Sequence, residues 1–232
     1  MKLGIMQPYF MPYIGYFQLI AAVDVFVVYD NIKHTKKGWI NRNRMLLNGA
    51  DVMFSVPVKK DSDALNVVQR ELAADFNRNK LLGQFKGAYS KAPYFAEAYK
   101  LLERVVCCKD ENLFQYIHHS LVEICRHLGI DTEIKVSSSI PINHDLKGQD
   151  KVLALCKALK ADTYINAIGG TDLYDKGEFR AREIELQFIK AKPFEYAQFS
   201  APFVPWLSII DLLMFNPLDA VKDCVQSNFE LI

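Results

Sequence analysis

The chain has 232 residues, half of them hydrophobic and 24% charged, which excludes an intrinsically disordered protein. Twenty-eight Lys and Arg against 27 Asp and Glu leave a net charge of +1. That balance argues against whole-surface electrostatic binding of nucleic acid or acidic membranes. Five cysteines, an odd number without a CxxC pair, suit reduced thiols rather than a disulfide framework.

Lys2 to Met6 is a short apolar run stopped by Gln7-Pro8, and it reads as a buried first strand. Pro8 and Pro12 bracket a loop, because proline cannot join a ladder and biases its neighbour away from helix. Ile14 to Ala22 reads as a helix, and Asp24 to Asp30 as a buried strand bounded by acids. Strand, helix and strand within about thirty residues is the arithmetic of a βαβ unit. Asn31 to Ala50 has no acid and reads as a basic loop with at most a short helical turn; Val52 to Lys60 is a strand. Glu71 to Cys108 reads as helices broken by Pro93, and Asn112 to Leu128 as a helix ending at Gly129. Ile134 to Ser137, Thr163 to Ala167 and Ile184 to Lys190 read as strands, Lys151 to Leu159 and Trp206 to Met214 as helices. The expected architecture is an α/β fold: a mostly parallel sheet flanked by helices, nucleotide-binding-like. It would form a single domain over 1–232 with a helical insertion at about 65–128. The start of the chain lacks an apolar core long enough for a signal peptide. The most apolar run, Phe203 to Phe215, is too short to span a bilayer and holds Asp211. A cytoplasmic protein without a membrane span is expected, and an oligomer is compatible with the sequence.

Ligands of open α/β sheets bind outside the carboxyl ends of the strands. Three segments fall there. In Gln7 to Tyr16, Tyr9, Tyr13 and Tyr16 offer stacking surfaces, and Gly15 admits a ligand close to the helix start. In Asp30 to Arg44, the cations Lys36, Lys37, Arg42 and Arg44 suit phosphate, Asn41 and Asn43 add amides, and Trp39 adds a ring. In Asn166 to Asp175, Gly169 and Gly170 let the backbone approach a ligand, and Asn166, Tyr174 and the acids Asp172 and Asp175 supply polar groups. His118, His119, Cys125 and His127 share one helix without the carboxylate or HExxH pattern of a zinc set, so no metal is expected. GxSxG, Walker A and GxGxxG patterns are all missing.

Met6-Gln-Pro-Tyr-Phe-Met-Pro-Tyr-Ile-Gly-Tyr-Phe17, Ala22-Val-Asp-Val-Phe-Val-Val-Tyr-Asp30 and Trp39-Ile-Asn-Arg-Asn-Arg44 resemble the opening of the WbqC-like family. Ile168-Gly-Gly-Thr-Asp-Leu-Tyr-Asp175 and Leu207-Ser-Ile-Ile-Asp-Leu-Leu213 resemble later segments of it. Two places depart from the pattern. The family often has Gly-Lys where this chain has Gly-Gly-Thr-Asp, and an aromatic residue where it has His34. The resemblance implies a role in bacterial O-antigen and capsule biosynthesis. The layout of residues 2–30 also resembles nucleotidyl-transferring α/β enzymes such as cytidylyltransferases and pantothenate synthetase, whose His-x-Gly-His turn is replaced here by tyrosines and prolines.

The function expected from residues and resemblance together is group transfer to a nucleotide-linked sugar, acylating or aminoacylating an amino-sugar nitrogen. Lys36, Lys37, Arg42 and Arg44 would hold phosphates. Tyr13, Tyr16 and Trp39 would stack, and Asp30, His34 or Asp172 would free the amine. An ATP-dependent amide ligase and a non-catalytic sugar-nucleotide-binding module are the alternatives. A nucleic-acid partner is disfavoured, and no cofactor is specified.

Overall fold

A computed structural model of the chain describes residues 1–199 and 202–232. Its centre is a six-stranded sheet built from β1 (Lys2–Met6), β2 (Val25–Val28), β5 (Glu133–Val136), β6 (Thr163–Ala167), β7 (Glu185–Ala191) and β8 (Phe229–Leu231), in the order β5-β2-β1-β6-β7-β8. The first five pair in parallel, and β8 runs antiparallel on the β7 edge. The expected α/β architecture is therefore present. Parallel strands covered on both faces must be apolar on both faces. In β2 all four residues, Val25 to Val28, are buried. Their alternation divides the core: Phe26 and Val28 pack with one cluster, Val25 and Val27 with Leu3 and Ile5 on the other face. Gly4 has no side chain for a packing reason. A Cβ there would meet the Phe26 ring at 3.1 Å.

The helix α1 (Ile14–Ala21) buries Tyr16, Phe17, Leu19 and Ile20. It joins β1 to β2. The chain then leaves the sheet. The stretch expected as a basic loop holds a strand, β3 (Arg42–Leu47), paired antiparallel with β4 (Ala50–Ser55) in a separate hairpin. This corrects the reading of 31–50 as loop, and the strand expected over 52–60 runs instead from Ala50 to Ser55. The turn is Asn48-Gly49, with φ of 52° and 78°. Two successive positive φ values make the tight hairpin turn that matches strand twist, and Asn-Gly is its preferred pair.

Helices α2 (Arg78–Tyr89), α3 (Phe95–Val106) and α4 (Leu113–Leu128) follow, with Pro93 between the first two as expected. Asn77 and Asn112 cap α2 and α4 through side-chain bonds to backbone N–H groups, and Gly129 closes α4 at φ 69°. The second half adds α5 (Gly148–Leu159) between β5 and β6, and the short α6 (Lys176–Arg180) before β7. The helices α7 (Ile209–Phe215) and α8 (Leu218–Ser227) precede β8. The helix expected from Trp206 begins later because Trp206 has φ 62°, outside the helical region, and Ser208 caps the helix by accepting from the Ile210 N–H. Among the described residues no helix is long and apolar enough to cross a membrane.

The chain runs outward from β1 to β2 and β5, then returns past β1 to β6 and β7. The reversal lies between β1 and β6. Loops leaving those two strands diverge and open a crevice there.

Candidate functional site

That crevice is a cleft of about 540 Å³, within the range of small-molecule sites. Its floor is the carboxyl ends of β1 and β6, with Ile5, Met6 and Gln7 on one side and Asn166, Ala167 and Ile168 on the other. Tyr9, Tyr13, Gly15 and Tyr16 come from the first loop and α1, and Asn43 and Arg44 from β3. Gly169, Gly170, Leu173 and Tyr174 belong to the turn after β6. Tyr29, Trp39 and Trp206 add rings to the wall, and Pro12, Ile189 and Ala191 complete it.

The sequence candidates thus divide. Gln7, Tyr13, Gly15, Tyr16, Trp39, Asn43, Arg44, Asn166, Gly169, Gly170 and Tyr174 line the cleft. Asp30, His34, Lys36, Lys37, Asn41, Arg42 and Asp172 do not. Asp30 is buried and accepts from the Ser137 hydroxyl at 2.8 Å and the Ser138 N–H at 3.0 Å, which ties β2 to the end of β5. His34 and Asn41 bond each other at 3.1 Å, and burial lowers the imidazole's pKa. Arg42 donates its Nε–H to the Gly38 carbonyl at 2.8 Å. Lys36 pairs with Asp63, and Asp172 is exposed on the turn after β6.

The Asn-Arg-Asn-Arg run alternates because it is a strand. Asn43 faces inward and donates to the Met11 carbonyl at 3.0 Å and more weakly to that of Phe10. Ser208 donates its hydroxyl to the same Met11 carbonyl at 2.7 Å. Met11 is buried with φ 45°, a strained conformation for a residue with a Cβ. Two donors from distant segments hold that strain, and with it the shape of the first cleft loop. Arg44 faces the other way. It donates to Asp51 at 3.1 Å and to the Trp206 carbonyl at 3.2 Å, and its guanidinium lies 5.5 Å from the centre of the Trp39 ring. Trp206 in turn meets the Tyr13 ring edge-on at 5.6 Å. One arginine therefore fastens both tryptophans of the chain to the rim.

Two glycines act by absence. A Cβ on Gly15 would fall 2.0 Å from the Tyr13 hydroxyl, so the Tyr13 side chain lies directly over the start of α1. A Cβ on Gly170 would fall 2.2 Å from Asn166 Nδ2. The Asn166 amide is thus laid against the Gly170 backbone, and among the described residues its side chain makes no hydrogen bond. Gln7 accepts only a long bond from the Tyr9 hydroxyl, at 3.5 Å. These two amides are the open polar groups of the floor. Burial raises the pKa of Tyr9, Tyr13, Tyr16, Tyr29 and Tyr174, so the phenols stay neutral donors rather than bases. Among the described residues no Asp, Glu or His lines the cleft. Among the described residues no three His, Cys, Asp or Glu cluster as a metal set.

A second chamber of about 280 Å³ adjoins the first and shares Tyr13, Ala191 and Trp206 with it. Phe194, Tyr196, Phe203, Pro205 and Leu212 make it mostly apolar. Its wall is fixed from behind by Asp211, which is fully buried. Asp211 accepts from the hydroxyls of Tyr89 at 2.8 Å and Tyr196 at 2.6 Å, and from the Gln198 amide at 2.9 Å. Burial raises its pKa, and the three bonds work against that rise. Sequence reasoning assigned no role to Trp206, Tyr29 or Asp211. The signals for Trp206 are a tryptophan beside a proline and its place immediately before the Leu207–Leu213 segment that carries the resemblance.

Fold and site define a class: an α/β protein with an aromatic, amide-floored cleft at the reversal of strand order. A family model described as the WbqC-like protein family matches residues 7–223, and the chain belongs to that family. It is similar to Rv1507c, an uncharacterised protein of Mycobacterium tuberculosis, with 29% identity over 219 residues that cover 93% of each chain. No solved structure matches significantly.

Proposed function

We propose that the protein is a group-transfer enzyme of surface-polysaccharide biosynthesis that binds a nucleotide-linked amino sugar in the β1–β6 cleft and acylates its amine. The observation that carries this reading is the lining. Aromatic rings from Tyr13, Trp39 and Trp206 surround two open amides, Gln7 and Asn166, over a glycine-bearing turn. Rings suit a base or sugar face, and neutral amides suit ring hydroxyls and carbonyls. In acyl transfer the neutral amine attacks the carbonyl of an activated acyl donor such as a thioester, and the carbonyl oxygen gains negative charge; collapse breaks the C–S bond and expels the thiolate, while the proton on nitrogen passes to that thiolate or to water. Amide N–H donors such as Asn166 Nδ2 stabilise that oxygen when held in place, and this one packs against the Gly170 backbone. Much of the remaining acceleration would come from orientation.

A cleft lining without carboxylate or imidazole among the described residues favours a second reading, a sugar-nucleotide-binding module whose chemistry is done by a partner. Thermal shift with UDP-, GDP- and dTDP-sugars, ATP and acyl-CoA, followed by mass analysis for a modified sugar, separates the two. Stabilisation by an amino-sugar nucleotide with formation of an amide supports transfer. Stabilisation without product supports the module. Stabilisation by ATP alone refutes both.

A further inference from the structure

Arg70 ends the 3₁₀ turn Val67–Gln69 and is only 4% exposed. Among the described residues its guanidinium makes no hydrogen bond, and its Nε is enclosed without an acceptor. Its opposite charge is Asp63, with Oδ1 at 3.9 Å, beyond hydrogen-bond range. The other oxygen of the same carboxylate accepts from Lys36 Nζ at 2.8 Å. His34 lies in the same field: Arg70 and Lys36 disfavour its protonation, and Asp63 favours it. None of these residues lines the cleft.

A guanidinium this buried without a hydrogen bond is a costly arrangement, because its Nε–H is enclosed with no acceptor and most of its surface has left water. Asp63 is 68% exposed and reaches the two cations from the solvent side, so they can be approached from there. It bridges them poorly, with one oxygen bonded to lysine and the other too far from arginine. We propose that Arg70 and Lys36 form a second anion site, separate from the cleft, that takes a phosphate group, and that the Asp63 carboxylate occupies this site in the free protein. A phosphate fits where the carboxylate does not. It has more oxygens, spread over a tetrahedron. Two of them match the guanidinium fork while a third faces the lysine. Asp63 is then displaced into water, where its exposure already places it.

The inference does not depend on the reaction proposed for the cleft, and its test uses no substrate. Inorganic phosphate and UDP are titrated calorimetrically, at low salt, into the wild type, Asp63→Asn, Lys36→Ala and Arg70→Lys. Asp63 and Lys36 are exposed, so those two variants fold even if the Arg70 variant does not. Removing the competing carboxylate should tighten phosphate binding at least tenfold, and removing the lysine should weaken it by a similar factor. Arg70→Lys should weaken it further, because an ammonium cannot replace the fork. If UDP shows the same response to Asp63→Asn and Lys36→Ala, the phosphate belongs to a nucleotide. If only inorganic phosphate responds, the ligand is the free ion. The proposal is overturned if Asp63→Asn binds phosphate no better than wild type, or if Lys36→Ala leaves binding unchanged.

Discussion

Replacing Asp211 with alanine should be among the most damaging single changes in the chain. The carboxylate is fully buried and satisfies three donors at 2.6 to 2.9 Å. Alanine strands all three. Tyr89 is fully buried and bears the whole penalty, whereas Tyr196 and Gln198 are less enclosed and reach water. At about 1–2 kcal/mol for the first and ~1 kcal/mol for each of the others, the loss is about 3–4 kcal/mol. For a protein of this size that lowers Tm by roughly 6–16 °C. Asp211→Asn should cost only ~1–2 kcal/mol. Its carbonyl still serves Tyr196 and Gln198, while its amide faces the Tyr89 hydroxyl, whose oxygen already accepts from the Leu46 N–H and whose proton loses its acceptor. The pH dependence has a definite sign. Burial raises the Asp211 pKa above the ordinary 3.8. A carboxyl raised on folding stabilises the native state fully below its unfolded pKa, and that contribution is lost as pH rises through the folded value. Asparagine does not titrate, so the penalty of Asp211→Asn should shrink as pH climbs above the ordinary carboxylate range. Urea denaturation of both variants between pH 4 and 8 measures all of this. An alanine variant within about 1 kcal/mol of wild type, or an asparagine penalty that grows with pH, would refute the reasoning.

Other outcomes follow from the same geometry. Arg44→Ala should weaken nucleotide-sugar binding by ~1.5–3 kcal/mol, the worth of a charged hydrogen bond. Arg42→Ala, outside the cleft, should leave it within about 0.5 kcal/mol; calorimetric titration with equal losses for the two would count against the assignment. Gly170→Ala should displace the Asn166 amide, 2.2 Å from the new methyl group, and reduce binding much as Asn166→Ala does. A double variant that loses the two effects additively would disprove this link. Iodoacetamide at pH 8 should label exposed Cys107 first, while Cys125 and Cys156, whose thiols burial pushes up to about 12, should react only after unfolding. Peptide mapping over a time course reads the order.

The parallel sheet was legible because its strands are short apolar runs, and Val25 to Val28 needs no alternation to be recognised. The β3–β4 hairpin was hidden by its arginines. Charge in Arg42 to Arg44 read as loop, although a strand with one solvent-facing side puts charge at every second position. The Asn48-Gly49 pair is the one local signal of its turn. At the other end, α8 opens after Pro217 with Asp219 in its first turn, both ordinary start signals. β8 has three residues and exists only because the β7 edge is there to pair with it, a fact no local pattern carries. The site divides in the same way. Gln7 and Asn166, beside the ends of β1 and β6, line the cleft as their place in the sequence leads one to expect, whereas Asp30 after β2 does not. The inward turn of Asn43 toward Met11, the reach of Trp206 back to Tyr13, and the isolation of Arg70 depend on where distant segments meet.

The strand order has a consequence for synthesis. β1 lies in the middle of the sheet, yet one of its two neighbours, β6, begins at Thr163. At a ribosome rate of about 5–20 residues per second, that partner trails by roughly 8–30 s. During this interval the nascent β1–β2 pair carries an open, apolar edge, the kind that chaperones cover and that other chains can join. The rim residue Trp206 emerges later still, so the cleft forms only after most of the chain has been made.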